Sequence, residues 1–396
     1  MLSDYRRTFS PAGSLLFSTA GFIARLPLSM IGVGIVTMLS QLGGEYWLAG
    51  SVSATQAIAA AAIGPQISRL VDRHGQRRVV LPATAVTVAA ICALTLCARY
   101  AAPDWTLYVA ATVAGCMPSM GALVRSRWAE IHRESQRLLH TAFSLESVLD
   151  EVIYVVGPVL AITLSTGLSA EAGPLMAAVL LAVGVLLFTA QRRTEPRVRP
   201  ESGRAGGSAL RIPGLGLLTL TLTSVGASYG SVEVATVAYA GAHDHKALSG
   251  LLLGVYALGS GLAGAVFGAM RPRGEITRRL LVSVWAMAVT MAPLLLAPGL
   301  AALAGVLFVA GMSVAPTLIT TMGLVDRLTP AAQLTESITW VVSGLSLGVA
   351  VGYAASGWLV DAAGASAGYW VPCAAALLAA ATVSVALPRL TRAGAQ

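Results

Sequence analysis

The chain has 396 residues, of which 56% are hydrophobic and 11% are charged, and its mean hydropathy is +0.75. A soluble domain carries about 25% charged residues, so this composition excludes a water-soluble protein. Apolar stretches of about 20 residues, long enough to cross a bilayer as helices, recur along the whole chain. They lack the alternation of polar and apolar residues that a membrane β-barrel requires. The sequence therefore predicts an all-α membrane protein embedded in a lipid bilayer.

The net charge of +8 does not indicate nucleic-acid binding. The basic residues lie in short loops between apolar segments, where membrane proteins use them to fix orientation. The four cysteines lie inside apolar segments and show neither metal-ligand spacing nor a disulfide pattern. They are Cys92, Cys97, Cys116 and Cys373. We therefore expect no metal, no cofactor and no nucleic-acid partner.

Twelve membrane spans are predicted along the chain. They cover residues 13–40, 46–68, 79–98, 105–124, 140–165, 174–190, 213–239, 248–270, 280–297, 300–322, 337–360 and 369–388. The polar segment 191–212 is rich in Arg, Pro, Gly and Ser and is predicted to be a cytoplasmic linker. It separates an N-terminal six-helix half, residues 1–190, from a C-terminal half, residues 213–396. Spans 5 and 11 begin alike, as expected for the duplicated halves of a secondary transporter.

The distribution of basic residues predicts the orientation. Of the 26 basic residues, 23 fall on the side of the N-terminus, two fall on the other side, and Arg25 lies inside span 1. Arg125 and Arg127 are among the 23 and are placed at the edge of span 4. Because positive charge marks the cytoplasmic side, both termini are predicted to be cytoplasmic in a bacterial inner membrane.

The loop between spans 2 and 3, "SRLVDRHGQRRVVL", resembles the signature loop of the major facilitator superfamily, Gly-x-Leu-x-Asp-Arg-x-Gly-Arg-Arg. Ser68 replaces the first glycine, and Gln76 stands where Arg or Lys is common. The resemblance implies twelve helices in two pseudo-symmetric halves and a loop that gates the cytoplasmic face. Asp72 would accept bonds from arginines or from a helix N-terminus there. The matching residues are Leu70, Asp72, Arg73, Gly75, Arg77 and Arg78.

A second resemblance lies in span 5, where Gly157-Pro158 is similar to the core of a signature of drug:proton antiporters in the same superfamily. The positions around this pair differ from that signature. The resemblance suggests exchange of a substrate for protons.

Span 5 also carries three acidic residues, Glu146, Asp150 and Glu151. Charges inside a bilayer are costly, which makes ionisable residues there the best functional candidates. Glu146 and Asp150 are four residues apart and share a helix face, which Tyr154 continues, whereas Glu151 is turned about 100° away. We expect these carboxylates to carry protons.

Arg25 is predicted at a depth in span 1 close to that of Asp150 in span 5. It is expected either to pair with Asp150 or Glu151, or to bind an anionic group of the substrate. Pro27 would weaken the helix beside it. In span 7, Glu233 is the single acidic residue, with Tyr229 one turn away. Glu233 is either a second proton or substrate site or a charge at the membrane rim.

Small residues recur every four positions in span 11, at Gly344, Gly348, Gly352 and Ser356, and predict close helix packing. No phosphate-binding loop, metal cluster or nucleophile elbow is present, so we expect a transporter and not an enzyme. The sequence indicates a proton-coupled exporter of a small organic molecule that works as a monomer by alternating access. A proton-coupled importer or an uncoupled facilitator is the alternative.

Overall fold

A computed structural model describes residues 7–11, 13–196, 212, 214–269, 275–330 and 333–393. Most of these residues are helical. The helices are α1 (Ser14–Gln41), α2 (Tyr46–His74), α3 (Gln76–Arg99), α4 (Asp104–Ala114), α5 (Met120–Ile131), α6 (Gln136–Gly167), α7 (Ala172–Ala190), α8 (Leu215–Ala242), α9 (Leu248–Ala269), α10 (Ile276–Met291), α11 (Leu300–Gly311), α12 (Val314–Leu328), α13 (Leu334–Ala363) and α14 (Trp370–Ala393). Short 3₁₀ turns cover Arg192–Thr194, Ala292–Leu296 and Ala365–Tyr369.

Eleven helical segments in the described ranges are long and apolar enough to cross a membrane, and α11 with α12 counts as one of them. The prediction of an all-α, multi-pass protein is therefore confirmed. The predicted fourth span is absent from these eleven because it is not one continuous helix.

The fourth span is broken between α4 and α5. Gly115 ends α4, and its backbone lies so close to Ala59 of α2 that a Cβ there would collide with it. Pro118 has no backbone N–H and disfavours a helical conformation for the residue before it, so the helix restarts only at Met120. The prediction of a single helix ending at residue 124 was wrong. Because α5 continues to Ile131, Arg125 and Arg127 lie within a helix and not at its edge.

The chain divides into two compact units. The first contains residues 1–38 and 58–202, and the second contains residues 39–57 and 203–396. The predicted linker, residues 191–212, lies largely outside the described residues, as do Arg6, Arg271 and Arg273 of the predicted cytoplasmic charge. The division into residues 1–190, 191–212 and 213–396 therefore stays a prediction.

In the first unit, α1 packs closely against three neighbouring helices at glycine residues. At Gly21 a Cβ would collide with Val124 of α5, and at Gly184 of α7 it would collide with the backbone of Ala24. Small residues let helices approach closely in a membrane, where dispersion contacts and hydrogen bonds drive association. The third contact, at Gly157 of α6, lies next to the charged residues described below.

In the second unit, α8 and α13 pack against each other along the predicted row of small residues. A Cβ at Gly348 or Gly352 would collide with backbone atoms of Thr223 or Ala227 on α8. Ser356 donates a hydrogen bond to the Ser231 carbonyl at 3.2 Å. The predicted close packing of this row is therefore present.

Candidate functional site

Arg25 lies at the centre of a buried charge cluster in the first unit. Its side chain is 2% exposed. The guanidinium donates Nη1 to Asp150 Oδ1 at 2.7 Å, Nη2 to Glu146 Oε2, and Nε to the Gly21 carbonyl at 3.2 Å. All three partners are acceptors with fixed positions on helices, so this buried charge is neutralised and each of its three nitrogens donates a hydrogen bond.

Glu146 is completely buried and held by three donors. Ser18 Oγ and Trp128 Nε1 donate to its Oε1 at 2.9 and 2.7 Å, and Arg25 binds the other oxygen. Trp128 is itself fixed because its ring packs 4.7 Å from the Phe17 ring in the apolar core of this unit. Both carboxylate oxygens of Glu146 thus accept hydrogen bonds, which compensates the cost of burying this side chain.

Asp150, one turn along α6, is in a different environment. Its side chain is 31% exposed and lies between two arginines, with Oδ1 on Arg25 and Oδ2 on Arg125 at 2.5 Å. The cluster thus contains two arginines and two carboxylates from α1, α5 and α6. Of the two acids, Asp150 is the one that water can reach.

The contact between α1 and α6 sets this geometry. Ser29, one turn after Arg25, donates to the Ile153 carbonyl at 2.8 Å, and its Oγ lies so close to Gly157 that a Cβ there would collide with it. Gly157 and Pro158 are both buried. The Gly157-Pro158 pair therefore lies where the two helices touch, and this contact brings Arg25 within reach of Glu146 and Asp150.

The other two residues predicted on this helix are Glu151 and Tyr154. Glu151 is exposed and does not contact Arg25 in the described part of the chain. Tyr154 is half-buried. The predicted pairing of Arg25 with Asp150 is present, but its second partner is Glu146 and not Glu151, because residues 146 and 150 share a face and residue 151 does not.

The loop predicted as a gate joins α2 to α3 through Gly75, whose φ of +89° explains the glycine at this position. Asp72 is exposed and forms no ion pair within the described residues; Leu70, Arg73, Arg77 and Arg78 are exposed as well, and Ser68 is half-buried. Gln76, the residue that departs from the superfamily pattern, is buried. It accepts a hydrogen bond from Arg127 Nε at 2.8 Å.

Arg127 is fully buried. It lies at the same end of the first unit as the loop of residues 68–78. It donates to the Gln191 carbonyl at 3.0 Å and to Thr194 Oγ1 at 2.8 Å, and its guanidinium lies 3.7 Å from the centre of the Phe188 ring. Gln76 and Arg127 thus join the start of α3 to the end of α7. Neither was predicted to be buried.

A second buried acid lies in the second unit. Glu233 of α8 is 5% exposed, and Tyr353 of α13 donates its hydroxyl to Oε2 at 2.5 Å. The rings of Tyr229 and Tyr256 lie 6.0 Å apart in the same unit. Glu233 was predicted to be either a proton or substrate site or a charge at the membrane rim. Because its side chain is buried, it does not reach water in this structure.

No group of three or more potential metal ligands occurs in the part of the chain that the structure describes. His243 and His245 are exposed in the loop between α8 and α9.

The sequence profile of the Major Facilitator Superfamily matches residues 17–284 and, in an overlapping match, residues 218–395. The chain belongs to the major facilitator superfamily. It is accordingly a multi-pass membrane transporter. The comparison with curated protein sequences gives no match.

Solved structures of other transporters have folds similar to that of this chain. A crystal structure of a mutant of the nucleoside transporter NupG has a TM-score of 0.73 at 14% identity, with 93% of this chain and 99% of that chain covered. A mutant of the peptide transporter POT gives the same score and identity over 97% and 96%. A bacterial homologue of the iron transporter ferroportin, in an inward-facing state, scores 0.66 at 16% identity over 96% and 99%.

The sequence analysis did not identify three residues that contact the acids of the charge cluster. They are Ser18 and Trp128, which donate to Glu146, and Arg125, which binds Asp150. Ser18 and Trp128 are ordinary core residues by pattern, and Arg125 is one of many arginines near helix ends. A signal existed only for Arg125, which directly follows the predicted end of span 4 at residue 124.

Proposed function

We propose that this transporter exports a small organic molecule in exchange for protons, and that Asp150 is the residue that carries the proton. The observation that carries the proposal is the position of Asp150. Its carboxylate is partly exposed and binds both Arg25 and Arg125. The three residues lie on three different helices. Proton binding at this residue changes the contacts of three helices at once.

The charge balance of the cluster gives the coupling a physical basis. With both acids ionised, two arginines face two carboxylates and the cluster is neutral. A proton on Asp150 removes one negative charge, weakens its bonds to both arginines and leaves excess positive charge in a poorly solvated site. Arg125, which is 34% exposed, is free to turn toward water, whereas buried Arg25 stays bound to Glu146.

The other features are assigned within the same scheme. Glu146 and Arg25 form the fixed part of the cluster, and Glu151 and Glu233 are further candidates for proton binding. Tyr154 and Tyr229 are candidates for contacts with the substrate, and the loop of residues 68–78 gates the cytoplasmic face. The basic loops support a bacterial inner-membrane location with cytoplasmic termini. We take the monomer as the working unit.

The coupling is tested in everted membrane vesicles that carry an imposed pH gradient. Addition of a transported compound from a panel of cationic, neutral and anionic small molecules should dissipate the gradient. Asp150→Asn should reduce this proton movement at least tenfold while the protein still inserts and folds. Glu134→Gln removes an acid of the same unit that is 87% exposed; it is the matched control and should retain most of this proton movement.

A second measurement does not depend on knowing the substrate. Dicyclohexylcarbodiimide modifies protonated carboxyl groups in apolar surroundings, and mass spectrometry locates the modified residue. We expect labelling at Asp150 that increases as the pH is lowered, with little at Glu146. Transport that equilibrates compounds without a gradient, or full coupling in Asp150→Asn, would contradict the proposal and favour a facilitator.

A further inference from the structure

We propose that Glu233, Tyr353, Tyr256 and Tyr229 form a binding site for an organic ammonium ion in the second unit. This inference rests on the proposed function, because it names the chemical class of the exported molecule. Its argument is separate from that for Asp150, since it depends on a different acid in a different unit.

The first observation concerns the charge of Glu233. The side chain is buried, and Tyr353 donates one hydrogen bond to it. No basic side chain forms an ion pair with Glu233 within the described residues. A buried carboxylate without a positive partner is unfavourable, so it favours binding of a cation or a proton.

The second observation concerns Tyr256 of α9. Its side chain is 3% exposed, and its hydroxyl has no hydrogen-bond partner among the described residues. A buried hydroxyl without a partner costs about 1–3 kcal/mol, and such a group in a native protein calls for an explanation. The Tyr256 ring lies 6.0 Å from that of Tyr229, which is one turn before Glu233 on α8. A ligand bound beside Glu233 would supply the missing partner.

The third observation is the aromatic composition of the cluster. The Tyr229 and Tyr256 rings are 6.0 Å apart and inclined at 46°, and Tyr353 contacts the carboxylate directly. Faces of aromatic rings attract cations, and a cluster of rings next to an acid is the usual arrangement for recognising ammonium groups. A metal ion fits this set less well, because a hard cation requires several oxygen ligands.

The cluster is built on a rigid helix contact. The α8–α13 crossing brings Gly230 against the Val349 backbone on one side of the acid, and Ser356 bonds Ser231 close by. Tyr353 lies between Val349 and Ser356 on α13, and Glu233 follows Ser231 by two residues on α8. Sites on packed helices keep their geometry better than sites on loops, which is what selective recognition requires.

The test is thermal unfolding of the purified full-length protein in detergent, without a gradient. The probes are tetramethylammonium, choline and benzyltrimethylammonium, and 3,3-dimethyl-1-butanol serves as the neutral analogue of choline. At saturation at least one ammonium probe should raise the melting temperature by roughly 3–6 °C, and the neutral analogue should not. No shift with any ammonium probe, or an equal shift with the neutral analogue, would overturn the proposal.

Variants locate the effect. Glu233→Gln should abolish the shift, and Asp244→Asn, an exposed acid in the same unit, should retain it. Tyr256→Phe removes the unpartnered hydroxyl, so the ligand-free melting temperature should stay the same or rise while the ammonium shift decreases. Asp150→Asn should still bind the probe. Binding that persists in Asp150→Asn while coupled transport is lost separates this site from the proton site, and a shift that persists in Glu233→Gln would contradict the site.

Discussion

The two units each bury a glutamate, and they stabilise it in opposite ways. Glu146 in the first unit is bound by Arg25, Ser18 and Trp128. Glu233 in the second unit is bound by the hydroxyl of Tyr353 and forms no ion pair within the described residues. The first acid is compensated by a fixed positive charge, and the second is not.

Near the helix ends of the two units, one charge is likewise paired with an opposite charge and another is not. In the first, Arg99 forms an ion pair with Glu171 at 3.1 Å. In the second, the Lys246 ammonium lies 2.7 Å from Ser40 Oγ and 5.6 Å from the centre of the Tyr46 ring. Compensated charges rigidify a structure, whereas a partly buried charge that contacts neutral groups is available to an exchangeable ion or proton. The difference suggests that the units contribute differently to a transport cycle.

The largest expected effect comes from breaking the compensated pair. Glu146→Leu leaves buried Arg25 with one carboxylate fewer and should destabilise the protein by about 3–5 kcal/mol. The double variant Arg25→Met/Glu146→Leu removes both charges, leaves Arg125 on Asp150, and should regain at least half of that loss. The measurement is thermal or denaturant unfolding of the four proteins of the cycle.

The result of this cycle also tests the structural assignment. If the two single substitutions and the double variant give strictly additive losses, the two side chains do not interact and the cluster described here is wrong.

An intermediate effect is expected when glutamine replaces Glu146 or Glu233 in two separate variants. Glu146→Gln should lower the melting temperature because Arg25 loses its charge-assisted bond there, a loss of about 1.5–3 kcal/mol. Glu233→Gln should leave it unchanged or raise it, because no base loses a partner and the amide oxygen still accepts from Tyr353. Thermal unfolding of both variants in the absence of ligand checks the opposite signs, and equal losses at the two sites would remove the contrast.

The smallest expected effect concerns Lys246. Burial lowers the pKa of its ammonium group to about 8 from the usual 10.5. Between these values the unfolded chain binds more protons than the folded one, so stability should rise as the pH increases from about 8 to 10.5. The side chain is partly exposed and solvent screens the effect, so we expect a rise of roughly 1 kcal/mol.

Two substitutions isolate this contribution. Lys246→Met removes the titrating group, and Lys246→Arg keeps a positive charge that does not titrate in this range. Both should flatten the rise between pH 8 and 10.5 in unfolding measurements. A rise of unchanged size in both variants would assign it to other groups.

The sequence alone determined the membrane class, most helix positions and the likeness to the superfamily. These depend on local properties, namely the length of apolar runs, the loop at residues 68–78 and the row of small residues ending at Ser356. It also placed Arg25 and Asp150 at matching depths, because helical rise converts residue number into distance along the membrane normal. Pro118 is a sequence signal for the break, but the length of the largely apolar run around it favours one continuous span.

Tertiary structure decided which residues meet. No pattern along the chain shows that Trp128 and Ser18 donate to Glu146, that Arg125 reaches Asp150, or that Tyr353 rather than Tyr229 bonds Glu233. These contacts join residues up to 128 positions apart. They depend on how closely glycines such as Gly157 and Gly348 let helices approach and on the rotation of each helix about its axis. Hydrophobic periodicity leaves both quantities undetermined in a chain whose helices are apolar on nearly every face.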